Sequence, residues 1–445
     1  MDGERGRAGG RGAGGSGGGG AVSAATASAG IVELLPPDRV LTGEAASEWA
    51  GGRDVGTVLF PADTNEVQAL VRLANETGTP LLPAGNGSWL GAGGWTRDGG
   101  AVVSTSRLDS VVHYEPADLT LTAGAGLGWR KLGAVVEPNG QWLPVDTPGV
   151  GAGTLGGVAA CGVPGPLSGR YGAIRDNVLG LEVVTGDGRL LRIGGRVVKN
   201  VAGYDLVRLF TGSRGSLGVI TRVSVRLFPR PGADVTVVFG GGVGEALEVA
   251  RVVRVTSLPV AAAEMVVRGT GDETGRDAEL AVRVLGGRAE VDDVRARLVA
   301  EVGTGPEGTM RGGEGEAFHR ERTAWEGRSP IVVRMTALPD RLAATMGWAG
   351  GGAGRTRGEI AADVLGGVVR VKGLSVDDGI AGIAATLTRA RSELEAMGGT
   401  LTLSRAPREV AEVAGWTGGG GGGGALARKL KSLFDPRSVL LSKCP

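Results

Sequence analysis

The sequence predicts an α+β protein in two parts, on three observations. Helical and strand-like apolar runs alternate from Leu59 onward and are interrupted by two glycine-dense loops. Two apolar runs, VLGLEVV and LLRI, are joined by Gly186-Asp187-Gly188, the signature of an antiparallel hairpin. From Asp234 strand and helix patterns alternate again, which suits antiparallel strands with helices packed on one face. The expected division is a glycine-rich, disordered tail over residues 1–30, a ligand-holding part over 35–232 and an α+β part over 233–445.

Composition sets the outer limits. The chain has 445 residues, enough for two or three cores, and 42% of them are apolar, as in a globular protein. Its 48 basic and 47 acidic residues leave a net charge of +1, so no strong field selects nucleic acid. Residues 1–30 contain 12 glycines and little that could build a core. They also lack the apolar centre of a signal peptide, and no run approaches the roughly 18 apolar residues that span a bilayer. The two cysteines, Cys161 and Cys444, make neither a disulfide framework nor a CxxC motif, which favours a reducing compartment. With only two histidines, His113 and His319, a multi-histidine metal site is not available. A cytoplasmic location is expected, with any membrane attachment made through partners.

In chain order, Asp63 or Thr64 can cap a helix whose apolar face is Val67, Leu70, Val71 and Ala74, and Gly78 ends it. A short strand at 80–84 then feeds Gly85-Asn86-Gly87-Ser88-Trp89-Leu90-Gly91, a loop barer than a turn requires. Strand patterns follow at 101–106, 111–114 and 119–124, then a helix pattern at 129–137. His113, beside Glu115, reads as an edge or surface residue of a strand.

Two stretches imitate a dinucleotide fingerprint. GAGLGW at 124–129 fails because Trp129 stands where the third glycine belongs. Gly151-Ala-Gly153-Thr-Leu-Gly156 has the right spacing and an acid, Asp176, about 20 residues on. It follows Pro148-Gly149 rather than a strand, and Pro164 and Pro166 interrupt the helix that should present its N-terminus to phosphate. The stretch therefore reads as a phosphate loop of another kind. VKNVAGYDL then sets Lys199, Asn200, Tyr204 and Asp205 among small residues beside which a flat ligand can lie.

The order PADTNEVQALVRLAN, PAGNGSWLGAG, LTLTAGAGLGW, TPGVGAGTLGGVAACG and GRYGAIRDNVLGLEVVTGDG resembles the FAD-binding (PCMH-type) domain of vanillyl-alcohol-oxidase-type flavoproteins and FAD-linked 2-hydroxyacid dehydrogenases. GGRVVKNVAGYDLVRLFTGSRGSLGVITRVSVRLFPRP is most similar to the FAD-binding subunit of glycolate oxidases (glycolate dehydrogenases), and KLKSLFDPRSVL resembles that family's closing motif. The resemblance implies FAD held by Pro83, Gly85, Asn86, Gly87, Ser88, Trp89 and Leu90 from the first loop. It implies Pro148, Gly149, Val150, Gly153, Thr154, Gly156 and Gly157 from the second, the amides of 150–157 donating to the diphosphate. Asp176, Lys199, Asn200, Gly203 and Tyr204 would lie near the ribityl chain and ring, with Gly218, Val219 and Ile220 on the adenine side. The first loop has no histidine for covalent attachment, so noncovalent FAD is expected.

Each position also has a plainer reading. Asp176 can brace the GRYGAIRDN turn, Lys199 and Arg208 can be solvated charges, and Tyr204-Asp205 can start a helix. Cys161 among small residues reads as buried packing.

The second part would be the family's substrate or cap domain. Catalytic relatives commonly place histidines there, some with a divalent metal, whereas this chain offers His319 alone and no expected metal site. Arg320, Arg322 and Arg334 are the candidate carboxylate partners, though surface arginines are common. Two readings follow. One is an FAD subunit passing hydride from glycolate to flavin and electrons onward, with a homologous flavin subunit and an iron–sulfur partner. The other is a non-catalytic flavin carrier in that complex.

Overall fold

The computed structural model describes residues 30–53, 55–90, 100–195, 204–268, 277–324, 329–351, 359–373, 379–415 and 424–440. The strands are β1 (Val40–Thr42), β2 (Thr57–Leu59), β3 (Leu81–Ala84), β4 (Ala101–Ser104), β5 (Val111–Glu115), β6 (Thr120–Gly124), β7 (Gln141–Trp142), β8 (Val178–Thr185), β9 (Leu190–Gly194) and β10 (Gly218–Arg226). They continue with β11 (Phe228–Pro229), β12 (Ala233–Gly242), β13 (Ala262–Arg268), β14 (Asp277–Gly286), β15 (Gly308–Arg311), β16 (Val332–Thr336), β17 (Ile360–Asp363), β18 (Val368–Lys372) and β19 (Thr400–Arg405).

The first half holds two main sheets. One has the order β1-β2-β4-β3, antiparallel at β1 and parallel across β2, β4 and β3. Helix α1 (Thr64–Thr77) covers it with Val67, Leu70, Val71 and Ala74, as the 3.6-residue spacing requires. Asp63 caps α1 by accepting from the Glu66 amide at 2.9 Å, and Gly78 closes it at φ 74°. The other sheet, β5-β6-β10-β8-β9, is antiparallel throughout. The Gly186-Asp187-Gly188 turn joins β8 to β9, and Gly188 takes φ 78° there. His113 lies on the edge strand β5.

The second half is one antiparallel sheet of eight strands, β15-β12-β14-β13-β17-β18-β16-β19. One face is apolar: Val235 and Val237 on β12, Leu280 and Val282 on β14, Met265 on β13 and Val369 on β18 are fully buried. Helices Val243–Val255, Arg288–Val302 and Gly379–Ala396 pack there with Ala250, Leu298 and Leu387. Period-2 alternation puts Thr236, Arg283, Glu264 and Arg370 on the opposite face, toward the first half. Gly350 and Gly351 end the helix Leu342–Gly351, while the glycine-rich 352–354 and 418–423 lie outside the described residues.

Two segments tie the halves together. Helix α2 (Leu155–Cys161) stops at Gly162, in the left-handed region ahead of Pro164. Helix α3 (Gly313–Ala324) lies between the eight-stranded sheet and the second glycine loop. Residues 424–440, which the sequence division assigns to the second part, return to the first: Phe434 packs in the core of the β5–β10 sheet, and Val439 and Leu440 pack beside α1. Leu440 pairs in parallel with Leu81 on the free edge of β3.

Candidate functional site

The two glycine loops meet although nearly sixty positions separate them. β3 delivers the first at its C-terminal end, and the second precedes α2. Gly85 lies so close to Thr154 that an added Cβ would be 2.2 Å from Thr154 Oγ1. The Asn86 amide side chain donates to the Ala152 carbonyl, and Trp89 Nε1 donates to the Pro148 carbonyl at 3.2 Å. Gly149, at φ 75°, admits the Trp89 ring beside it, where a Cβ would sit 3.1 Å from Nε1.

Between and beside these loops lies a cavity open to solvent. It is lined by Pro83, Gly85, Asn86, Gly87, Ser88, Trp89 and Leu90, by Thr154, Gly156 and Gly157, and by Gly218, Val219 and Ile220 at the start of β10. Thirteen sequence-predicted positions thus converge from three distant segments. Pro148, Gly149 and Gly153 line a larger adjoining cavity between the two halves. Asn86, Ser88, Trp89, Cys161 and Arg214 belong to both walls, so the two cavities share a boundary. Val150 opens a single 3-10 turn over Val150–Ala152.

Other expectations are not brought there. The Asp176 carboxylate accepts from the Ala173 amide at 3.0 Å and pairs with Arg208 at 3.4 Å, bracing the turn, and it does not line either cavity. Asp205 caps the helix Leu206–Phe210 by accepting from the Arg208 amide at 3.1 Å, with Tyr204 beside it 94% exposed. Lys199, Asn200 and Gly203 lie outside the described residues. Thr105, Arg214 and Gly215 also line the smaller cavity, and nothing local in the sequence points to them.

The second loop's expected donors are largely engaged. Leu155 N–H donates to the Leu127 carbonyl at 2.9 Å, Gly156 N–H to Ala125 at 2.8 Å and Gly149 N–H to Thr323 at 3.0 Å. Gly157 N–H donates to Thr154 Oγ1 at 3.2 Å, the N-cap of α2. Asn86, Gly87 and Trp89 in the first loop keep amides without a backbone acceptor among the described residues. A cleft with bare amides along one side and glycines in its walls fits an extended diphosphate with an apolar ring at one end.

The larger cavity carries charge. Arg214, Arg230, Arg283, Arg320 and Arg405 line it, with Glu137, Asp146 and Glu316. Arg230 bridges Glu137 at 2.9 Å and Glu316 at 2.6 Å, and Arg283 forms a two-pronged pair with Asp234 at 2.6 and 3.1 Å. Of the three arginines proposed for a carboxylate, Arg320 lines this cavity. Arg322 is instead buried against Glu264 and Glu279, and Arg334 sits within the sheet opposite Arg370. His319 also lines the cavity, its Nε2 2.9 Å from Thr236 Oγ1. Burial, then the charges of Arg283 and Arg322, push the imidazole down to about 3, so it is uncharged at neutral pH. Burial pushes the Asp146 carboxyl up to about 7 against the Leu167 amide it accepts from at 3.0 Å. Burial likewise pushes the Cys161 thiol up to about 11, which keeps it protonated at neutral pH. Among the described residues no group of three or more His, Cys, Asp or Glu could hold a metal ion.

The family described as FAD binding domain matches residues 56–194, the segment that contributes both glycine loops. Residues 56–194 thus carry an FAD binding domain. The chain is 46% identical over 127 residues to the glycolate oxidase subunit GlcE of Escherichia coli, which covers 28% of this chain and 36% of that protein. It is 38% identical over 189 residues to a probable mitochondrial D-lactate dehydrogenase of Danio rerio, 42% of this chain and 38% of the relative. It is 35% identical over 174 residues to the glycolate oxidase subunit GlcD of Bacillus subtilis, 39% of this chain and 37% of that protein. The chain thus spans well under half the length of each of these relatives. The fold extends further: solved alkyldihydroxyacetonephosphate synthase superposes at TM-score 0.65 with 15% identity, over 93% of this chain and 85% of that one. FgChi7B does so at 0.69 and 15%, over 95% and 99%. Among the described residues no helix is long and apolar enough to cross a membrane.

Proposed function

We propose that the chain is the FAD-carrying subunit of a multi-subunit 2-hydroxyacid dehydrogenase that converts glycolate to glyoxylate, working with a homologous flavin subunit and an iron–sulfur partner. The observation that carries this reading is the contact of the loop-lined cleft with an arginine-rich cavity across the shared wall of Asn86, Ser88, Trp89, Cys161 and Arg214. Bound in the cleft, FAD supplies the acceptor for the hydride that leaves the hydroxyl-bearing carbon. The open amides of Asn86 and Gly87 would hold the diphosphate. The arginines of the larger cavity would orient the substrate carboxylate toward the ring, since a planar guanidinium matches a carboxylate in two-point contact. The matching subunit names of GlcE and GlcD support a complex. Attachment is noncovalent in this reading, because neither histidine lines the smaller cavity.

A second reading, a flavin carrier that is not itself catalytic, draws on His319. An imidazole held at about 3 by burial, with Arg283 and Arg322 nearby, is a poor proton acceptor at neutral pH, and it is the only histidine of the second half. The absorbance spectrum of the purified protein tests the cofactor: flavin bands are expected, and their absence after reconstitution with FAD overturns both readings. Bleaching of those bands by glycolate, with an artificial acceptor to turn the cycle, supports the first; a bound flavin that hydroxy acids leave oxidised supports the second.

A further inference from the structure

We propose that Arg322, which touches neither cavity, is a positioning residue for the flavin: it fixes helix α3 so that the Thr323 carbonyl anchors the Gly149 turn of the second glycine loop. This rests on the reading that the loops hold FAD. The Gly149 peptide is gripped on both sides, its N–H by the Thr323 carbonyl at 3.0 Å and the carbonyl before it by Trp89 Nε1 at 3.2 Å. The Thr323 grip comes from the other half of the molecule, so the turn's orientation depends on where the last turn of α3 stands.

That last turn is set by the guanidinium of the preceding residue. Arg322 Nε donates to Glu264 Oε2 at 3.2 Å, and Nη2 donates to the Glu264 and Glu279 carbonyls at 3.2 and 3.3 Å. Nη1 pairs with the Glu279 carboxylate, and the Phe318 ring lies 4.8 Å from the guanidinium carbon. These contacts reach two neighbouring strands, β13 and β14, so a rigid planar fork transmits the position of the sheet to the helix. The side chain is 4% exposed, which removes it from the substrate-binding role a surface arginine could play. Arg370 holds the other oxygen of the same Glu264 but stands on a strand of the sheet, β18, rather than on α3. The pair Arg322 and Arg370 therefore separates loop positioning from support of the sheet.

The test compares Arg322→Met with Arg370→Met in the full chain. Each leaves Glu264 one cationic partner. The Kd for FAD is read by flavin fluorescence, hydrogen exchange over 148–154 reports the loop, and thermal melting reports the sheet. Loss of one anchoring hydrogen bond at the loop predicts about tenfold weaker FAD binding and faster exchange over 148–154 in Arg322→Met. Arg370→Met should stay within about twofold of wild type in Kd even where it melts lower. Equal effects of the two variants, or an Arg322→Met chain with wild-type Kd and exchange, overturn the proposal while leaving the cofactor reading intact. A wild-type chain that takes up no FAD overturns the cofactor reading and this role with it. If Arg322→Met does not fold, Arg322→Lys, which keeps the charge and gives up the fork, should show the same ordering with a smaller shift.

Discussion

The two glycine loops are alike in composition and differ in what their glycines do. In 85–90 the amides of Asn86, Gly87 and Trp89 are without backbone acceptors among the described residues, and Gly87 turns at φ 83°. In 149–157 the amides of Gly149, Leu155, Gly156 and Gly157 are engaged by Thr323, Leu127, Ala125 and Thr154. Gly156 is bare because a Cβ would sit 2.5 Å from the Ala125 Cβ, and Gly85 because it abuts Thr154. Bareness therefore marks close approach of backbone to something, and that something is as often the chain itself as a ligand.

The sharpest way to break this contrast is Gly85→Val. It would drive the loops apart at their closest point, and overpacking of about 1–3 kcal/mol there predicts FAD binding weakened about 10–100-fold. Fluorescence titration giving a wild-type Kd would show that the loops need not touch. Gly156→Ala should cost a similar or somewhat smaller amount, roughly 1–2 kcal/mol, but in stability to denaturant, with the affinity of the folded fraction little changed. A large loss of affinity at constant stability would return Gly156 to the ligand side of the comparison. Thr154→Ala removes the N-cap of α2 and relieves crowding on Gly85, for a net loss of about 1 kcal/mol in a urea melt. The Gly157 amide that it frees becomes a donor, so FAD affinity should hold or rise.

The walls of the larger cavity give a milder, pH-based test. His319 has its folded value depressed from 6.5 to about 3, so it stabilises the fold above the unfolded value, and that contribution is lost as pH falls from 6.5 toward 3. Asp146 is shifted the other way, from 3.8 to about 7, so its contribution is full below 3.8 and is lost as pH rises through 7. Thermal melts of His319→Gln should flatten the acid limb, and melts of Asp146→Asn the fall between 4 and 7. A His319 limb centred near 6.5 would mean the imidazole is solvated and able to accept a proton.

What was legible in the sequence was local or strongly patterned. The Asp63 cap, the Gly78 stop, the Gly186–Gly188 hairpin and the alternation of β12 and β14 each follow from a few adjacent residues. The cofactor segments were legible as motifs, and thirteen of their positions share one cavity. Arg214, Asp146 and Arg405 carried no signal, because their place depends on the packing of one half against the other. Asp176 shows the limit of spacing as an argument: it stands at the fingerprint distance and serves a turn. Arg322 shows the same for residue type, since nothing adjacent to it foretells Glu264 and Glu279 from separate strands.

The return of residues 435–440 bears on how the protein is made. Leu81 N–H donates to the Val439 carbonyl at 2.7 Å, and buried Asp435 accepts from the Val439 and Leu440 amides, so the strand that delivers the first loop gains its outer neighbour from the far end of the chain. On the ribosome, β3 and α1 emerge before the eight-stranded half, and their open edge is covered only once residues 435–440 follow that half. Flavin capture by the first loop is therefore expected to follow synthesis of the eight-stranded half.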